Sequence, residues 1–276
     1  MTTDKTTPQY ALGYTDAEHA RLIYQAARLA PLTERLFREA GIAPGQRVLD
    51  IGSGMGDVAM LAARLVGPSG EVVGIERDPR SIARAQARAV EAGLRNVRFL
   101  QFDASQFTDA RPFDAAVGRL ILQYIPEPAA ALRSLSRLVR PGGVLAFQEP
   151  SFVPYLRIAE RLPLWFAVVS LVNETFRRAS ANTEMGFALH AAFEEAGLPP
   201  PTMHLDMPLG TNPQFTGWIC DLMISLLPQA QQHNVSLEEL GDLATLPARL
   251  HTEVVTSKTV VTWIGLVSAW SRKPAS

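Results

Sequence analysis

The chain has 276 residues, of which 47% are hydrophobic and 19% are charged, and its formal net charge at pH 7 is −1. This length suits one sizeable α/β domain with insertions, or one domain with a small additional lobe. A nearly neutral chain lacks the general basic surface by which many proteins bind nucleic acids, so we expect no nucleic-acid partner.

The cysteine content and the apolar runs indicate the compartment in which the protein is expected to reside. Cys220 is the single cysteine, which excludes an internal disulfide and a cysteine cluster for zinc. Residues 1–9 lack the apolar core of a signal peptide. The longest apolar run, residues 162–172, is too short to span a bilayer. We therefore expect a cytoplasmic protein with no membrane partner.

The predicted elements begin with a helical N-terminal segment, residues 1–40, which we expect to act as a lid. Apolar residues recur at helical spacing over residues 16–40. Pro31 is predicted to divide this region into two helices, because proline removes a backbone donor and its ring clashes with the preceding turn.

Strands and helices alternate over residues 41–150. Runs of strand-forming residues are separated by helical patterns and by glycine or proline. Strands are predicted at 47–51, 71–75, 97–102, 113–118 and 144–148, and helices at 57–66, 79–92 and 128–139. This alternation is typical of βαβ units and predicts an α/β, Rossmann-like, doubly wound, mostly parallel sheet.

The pattern changes after residue 150. Residues 151–255 are predicted to contribute helical insertions and a sixth strand, and residues 256–276 a final strand that completes the core sheet. The helices are predicted at 155–181, 184–196, 215–227 and 237–251, and the strands at 202–207 and 259–270.

A glycine-rich turn after the first strand carries the clearest chemical signal. Residues 50–57 read Asp-Ile-Gly-Ser-Gly-Met-Gly-Asp. Glycines at this place let a ligand approach the backbone closely. A dinucleotide loop usually reads G-x-G-x-x-G, whereas here the third glycine comes one residue early. Asp50 and Asp57 would oppose a pyrophosphate and favour a cationic ligand. S-adenosylmethionine, with its ammonium and sulfonium groups, is such a ligand.

Three further positions follow the next strands. Glu76, about 20 residues after the loop, is placed to accept both hydroxyls of a ribose. Asp103 and Ala104 are placed to bind an adenine edge through a side-chain oxygen and a backbone amide. Gly118 and Arg119 follow the fourth strand on the opposite side of the cleft, where the methionine end of the ligand and an acceptor would meet.

Together these segments resemble the class I S-adenosylmethionine-dependent methyltransferases. The resemblance covers residues 14–149 most clearly and includes the fourth-strand segment 113–118 and the turn at 138–143. It implies a seven-stranded sheet whose last strand, residues 259–270, is antiparallel. It also implies S-adenosylmethionine as cofactor and S-adenosylhomocysteine as product, with Tyr14, Arg21 or Gln25 closing over the cofactor. The expected cofactor-binding residues are Tyr14, Asp50, Gly52, Ser53, Gly54, Asp57, Glu76, Arg77, Asp103, Ala104, Gly118 and Arg119.

Methyl transfer needs a general base only if the acceptor must lose a proton. The candidate bases are Glu149, after the fifth strand, and His190 and His251 in predicted helices; His19 is a further candidate. A structural role is the alternative for each, such as a cap for Glu149 or a helix-dipole interaction for His251. No cluster of His, Asp and Glu has the spacing of metal ligands, so no metal is expected.

Aromatic and apolar residues of the insertions favour a small hydrophobic or aromatic acceptor. We expect two or three of them to face this acceptor and the others to belong to the core. The candidates are Phe152, Tyr155, Trp165, Phe166, Phe176, Phe187, Trp218 and Met223. The apolar helices after residue 150 form either a lid or the contact face of a homodimer.

Three other functions compete with small-molecule methylation. An RNA or protein methyltransferase would favour a basic groove or an added recognition domain, and neither is evident. An enzyme of the same fold that binds S-adenosylmethionine without transferring its methyl group fits the same motifs. A nicotinamide oxidoreductase fits least, because Asp50 and Asp57 oppose a phosphate.

Overall fold

The computed structural model describes residues 16–104 and 106–275, with side chains described from residue 21 onward. Its centre is a seven-stranded sheet in the order β3-β2-β1-β4-β5-β9-β6. The first five strands of this order are parallel, and β9 is antiparallel to both β5 and β6. The strands are β1 (Arg47–Ile51), β2 (Glu71–Glu76), β3 (Val97–Gln101), β4 (Phe113–Arg119), β5 (Val139–Ser151), β6 (Thr202–Asp206) and β9 (Gly265–Arg272). The predicted doubly wound sheet with an antiparallel last strand is confirmed.

Helices cover both faces of the sheet. α1 and α2 pack on one face, and α4 and α7 pack on the other. Because successive side chains of a strand point to opposite faces, the apolar residues of the strands contribute to two core layers. The helices are α1 (Asp16–Glu39), α2 (Asp57–Val66), α3 (Pro79–Glu91), α4 (Pro128–Leu138), α5 (Val153–Ala159), α6 (Pro163–Arg178), α7 (Met185–Glu195), α8 (Pro213–Gln232) and α9 (Leu246–Thr256). The chain reverses its direction of winding between β1 and β4, where such sheets leave a crevice.

The predicted break at Pro31 is wrong. α1 runs through Pro31 without interruption from Asp16 to Glu39. Ala26 is buried before the proline, and Leu36 and Phe37 are buried after it. Packing on both sides of Pro31 holds the two halves in line and offsets the cost of the proline, which is about 3 kcal/mol in an unsupported helix.

The insertions build a separate apolar layer around α6, α8 and α9. The predicted helix at 237–251 is a 3₁₀ turn, Glu238–Leu240, followed by α9. The predicted single strand at 259–270 is also interrupted. Its first part, β8 (Val261–Thr262), pairs with β7 (Leu209–Gly210) in a two-stranded sheet, and β9 begins only at Gly265. The division of the chain at residues 40, 150 and 255 stays a prediction.

Gly265 begins β9 at a point where the neighbouring strands lie close to it. A Cβ atom there would lie 2.9 Å from Leu205 Cδ1 and 3.0 Å from the Ser151 carbonyl oxygen, so a larger residue would require a small shift of these neighbours. No helix of the described chain is long and apolar enough to cross a membrane.

Candidate active site

A cavity of about 530 Å³ opens at the carboxyl ends of β1, β2 and β4, beneath α1. This is the place where open α/β sheets bind ligands. One end is formed by the glycine loop after β1 and by polar residues after β2 and β3. The other end is apolar and is formed by α1, the turn after β4, and residues of α6, α8 and the segment before β9.

The glycine loop needs its glycines for different reasons. Gly52, Gly54 and Gly56 all have positive φ, at 61°, 49° and 81°. A Cβ atom on Gly52 would lie 2.5 Å from Ile121 Cδ1, and one on Gly56 would lie 2.7 Å from Phe99 Cζ. A Cβ atom on Gly54 would meet nothing within 4 Å. Gly54 therefore presents bare backbone to the cavity, which is what a closely bound ligand requires.

Glu76 ties the glycine loop to the end of β2. Its Oε2 accepts a hydrogen bond from the Gly54 amide at 3.0 Å, and its Oε1 accepts from the amides of Arg77 at 2.7 Å and Asp78 at 3.1 Å. A carboxylate has about four acceptor positions, so Glu76 keeps capacity for a ligand hydroxyl. Glu76 lies on the cavity wall, as a ribose-binding acid must.

The turn after β3 forms the far polar end of the cavity. Asp103 and Ala104 line it, and Arg77 lies beside them with its Nη1 3.8 Å from Asp103 Oδ2. Phe102 lines it too and packs edge-on against Phe107 with ring centroids 5.3 Å apart. Our reading of the sequence missed Phe102, although its place directly before Asp103 is the signal that would have found it.

Asp50 lies below the loop and is completely enclosed. It is 1% exposed, and neither of its oxygens has a hydrogen-bond partner among the described residues. Burial raises the pKa of Asp50 well above its usual range, and the charge of Arg119 partly opposes this rise. Asp50 is not among the residues that line the cavity, so the structure does not bring this predicted cofactor-binding side chain into contact with a ligand there. Asp57 lines the cavity, but its charge is compensated by Arg88, whose Nη2 lies 2.6 Å from Asp57 Oδ1.

The residues after β4 divide between the cavity and the core. Arg119, Leu120 and Ile121 line the cavity. Gly118 faces the core instead, where a Cβ atom would lie 2.8 Å from Phe147 Cε1. Gln25 of α1 lines the cavity, whereas Tyr14 lies outside the described residues.

Three of the eight predicted acceptor residues line the cavity: Phe152, Phe176 and Trp218. The fully buried Tyr155, Trp165 and Met223 belong to the helical core, and Phe166 and Phe187 are exposed on the surface.

Sequence reasoning missed other residues of this apolar end. Tyr124, Leu222 and Trp263 line it, and Trp263 stacks on Phe215 with ring centroids 4.9 Å apart. The sequence predicts one continuous strand over residues 259–270. In the structure Trp263 lies between β8 and β9 and lines the cavity.

The Glu149 side chain binds backbone amides of a neighbouring turn. Its two oxygens accept hydrogen bonds from three amides of the turn after β4: Ile121 at 3.0 Å, Leu122 at 2.8 Å and Gln123 at 3.2 Å. Burial raises the pKa of Glu149 to about 7, and these hydrogen bonds limit the rise. Glu149 is fully buried and holds the turn that carries the cavity residues Ile121 and Gln123.

The structure brings neither predicted helical histidine to the cavity wall. His190 is exposed on α7, with its Nδ1 3.3 Å from Glu194 Oε2. His251 lies in α9, and its Nδ1 is buried without a partner among the described residues. The side chain of His19 is not among those described. No group of three or more His, Cys, Asp or Glu residues within 16–104 and 106–275 is arranged to hold a metal ion.

A seven-stranded sheet with this order, and a glycine loop that contacts an acid at the end of the next strand, define a Rossmann-like α/β fold. A family model described as a methyltransferase domain matches residues 42–197, which is more than half of the chain. The chain therefore belongs to the class I S-adenosylmethionine-dependent methyltransferases.

Two curated relatives extend this comparison. The chain is 37% identical over 123 residues to the aklanonic acid methyltransferase DauC of Streptomyces sp. (strain C5), over 44% of this chain and 56% of the relative. It is 32% identical over 179 residues to the ubiquinone/menaquinone biosynthesis C-methyltransferase UbiE of Pseudomonas paraeruginosa, over 60% of this chain and 70% of the relative. The chain thus spans little more than half of the length of the first of these relatives.

Solved structures share the fold. A candidate methyltransferase from Bacillus halodurans superposes with a TM-score of 0.59 at 22% identity, over 88% of this chain and 98% of the other. The [4+2]-cyclase SpnF superposes with a TM-score of 0.53 at 21% identity, over 90% of this chain and 82% of the other. Both likenesses concern the architecture of the sheet and its helices.

Proposed function

We propose that this protein transfers the methyl group of S-adenosylmethionine directly to a small hydrophobic or aromatic acceptor. The observation that carries this proposal is the continuity of the cavity. One space of about 530 Å³ joins the bare backbone of the glycine loop to an apolar, aromatic end. A volume of this size lies within the usual range for small-molecule sites, about 300–1,000 Å³.

The polar end supplies the groups that would hold the cofactor. Glu76 would accept the ribose hydroxyls, and the turn at Asp103 and Ala104 would bind the adenine edge. The exposed backbone at Gly54 would lie against the ligand, with the Asp50 carboxyl group enclosed beneath it. The sulfonium of the bound cofactor supplies an already activated methyl group.

The apolar end would orient the acceptor and exclude water. Phe152, Phe176, Trp218 and Trp263 offer flat apolar surface beside Arg119 and the turn after β4. Alignment of two reactants can supply about 7–11 kcal/mol of a barrier. We assign catalysis to this alignment, because the oxygens of Glu149 already accept three backbone hydrogen bonds. No histidine lines the cavity in the described part of the chain.

The relatives support a small acceptor. One is named as an aklanonic acid methyltransferase and another as a C-methyltransferase of ubiquinone/menaquinone biosynthesis, and both names refer to small molecules. Whether the apolar helices also form a homodimer contact stays a prediction.

The test is a methyl-transfer screen with isotopically labelled cofactor and a panel of hydroxylated aromatic and quinone-like molecules. We expect the label in one acceptor, a mass gain of one CH₂ unit, and equimolar S-adenosylhomocysteine. An acceptor that changes without this gain, while the cofactor stays intact, would identify a non-methylating enzyme instead.

A matched pair of variants tests the acceptor end. Phe176→Leu removes a ring from the cavity wall and should raise the acceptor KM about 5- to 30-fold, the effect of removing roughly 1–2 kcal/mol of apolar contact. Phe187→Leu makes the same change on the surface, where the ring is 54% exposed, and should leave KM unchanged. Equal effects of the two substitutions on KM would show that the acceptor does not bind at this end of the cavity.

A further inference from the structure

A chain of buried polar side chains runs from β9 to the cavity. Gln148 Nε2 donates to Ser268 Oγ at 2.8 Å, and Thr33 Oγ1 donates to Gln148 Oε1 at 2.7 Å. Arg119 Nη1 donates to Thr33 Oγ1 at 2.9 Å. Thr33, Gln148 and Ser268 are 1%, 0% and 2% exposed. Three elements, α1, β5 and β9, thus supply the side chains that support the guanidinium group of Arg119 on β4.

This guanidinium group carries a charge that its surroundings do not neutralise. No carboxylate oxygen among the side chains described from residue 21 onward lies within 4.0 Å of its nitrogens. Asp50 and Asp57 act on it from a longer distance, and Asp57 is already paired with Arg88. Burial lowers the pKa of Arg119, although an arginine stays protonated in proteins. Arg119 is half-buried and lines the cavity, and a cation that faces a cavity without a carboxylate partner indicates an anionic ligand.

The register of the strands shows where that anion would lie. Val117 pairs with Asp50 on β1, and Arg119 pairs with Gln148 on β5. Side chains two residues apart along a strand share a face, so Arg119 lies on the same face as Asp50, one step beyond it toward the cavity. This places Arg119 level with Gly52 of the loop. Glu76 lies on β2, on the other side of β1, so the ribose-binding and guanidinium ends of the cofactor site are separated by two strand spacings, about 10 Å.

We propose that Arg119 binds the α-carboxylate of the methionine moiety of S-adenosylmethionine, and that Thr33 and Gln148 are positioning residues for its guanidinium group. This inference rests on the cofactor of the proposed function. Nη1 is fixed by Thr33, and the described residues provide no acceptor for Nε or Nη2. A guanidinium group offers several N–H donors in a rigid plane, and a carboxylate accepts two of them side by side.

The test compares S-adenosylmethionine with decarboxylated S-adenosylmethionine, which lacks only the carboxylate, by calorimetric titration of the full chain. Arg119→Gln should weaken binding of S-adenosylmethionine about 10- to 100-fold, as expected when hydrogen bonds to a charged group are lost. It should change binding of the decarboxylated ligand less than about 3-fold.

The positioning residue is tested with a conservative pair. Thr33→Val keeps the shape and removes the hydroxyl group, and should weaken S-adenosylmethionine binding about 3- to 10-fold. Thr33→Ser restores the hydroxyl group and should restore the affinity. Arg84→Gln, an exposed arginine of α3 outside the cavity, is the matched control for loss of charge and should bind both ligands like the parent chain.

Each outcome has one meaning. Equal losses of affinity for both ligands in Arg119→Gln would overturn the inference. An unchanged affinity for S-adenosylmethionine together with a raised acceptor KM would also overturn it, because the anion that Arg119 binds would then belong to the acceptor. If Arg119→Gln does not fold, the parent chain decides, since equal affinities for the two ligands there would also overturn it. A parent chain that binds neither ligand would instead refute the cofactor of the proposed function.

Discussion

Replacing Gly54 with alanine separates a binding role of the glycine loop from a structural one. Gly54 has a φ of 49°, and a Cβ atom there would meet no protein atom within 4 Å. Gly54→Ala should therefore lower the unfolding free energy only by the strain of an alanine in the left-handed conformation, about 1–2 kcal/mol. In a chain of this size that corresponds to a fall in Tm of roughly 2–6 °C.

The added methyl group would nevertheless point into space that the cofactor needs, because Gly54 lines the cavity. Overpacking a close contact costs about 1–3 kcal/mol, so binding of S-adenosylhomocysteine should weaken about 10- to 100-fold. Gly93 is the matched control. It has a φ of 68° and equally open surroundings, but it ends α3 away from the cavity.

Differential scanning fluorimetry and calorimetric titration measure the two effects separately. Gly93→Ala should lower Tm as much as Gly54→Ala does and leave the affinity unchanged. If Gly54→Ala binds S-adenosylhomocysteine like the parent chain, the loop does not carry the ligand and the reasoning fails.

Two further predictions concern pH and salt. Burial raises the pKa of Glu149 from 4.5 to about 7, so the folded state holds its proton more tightly than the unfolded chain does. The resulting stabilisation is complete below about pH 4.5 and is lost as the pH rises to about 7, so the unfolding free energy should fall by up to about 3 kcal/mol over this interval. Denaturant titrations at a series of pH values should show no such fall in the unfolding free energy of Glu149→Gln. If the unfolding free energies of the two proteins change in parallel with pH, Glu149 is not the group responsible. Turnover of a small acceptor should change little between 50 and 200 mM salt. A loss of substrate affinity of ~10³-fold over this range, as is typical of nucleic-acid binding, would instead favour an RNA substrate.

The sheet was predictable because its signals are local. β1 and β2 contain short apolar runs followed by Gly52 and Glu76, β5 contains one followed by Glu149, and the alternation with helices predicts a parallel arrangement. The positions of Glu76 and Gly54 followed from the same pattern, because the carboxyl ends of parallel strands share one edge of the sheet.

The apolar end of the cavity was not predictable in this way. Trp263 and Tyr124 reach it from segments far apart in the chain, and Trp263 lies at a break between β8 and β9 in a run that the sequence predicts to be one strand. Pro31 failed as a helix breaker for a similar reason, because packing on both sides of it outweighs its local preference. Such long-range contacts leave no periodic signal in the sequence.

Calorimetric titration of the purified chain with S-adenosylmethionine and, separately, with NADH tests the central claim most directly. The cavity predicts binding of S-adenosylmethionine alone, and its loss in Glu76→Ala, whose side chain holds the glycine loop through the Gly54 amide. Binding of NADH, or no binding of S-adenosylmethionine by folded protein free of co-purified ligand, would contradict it.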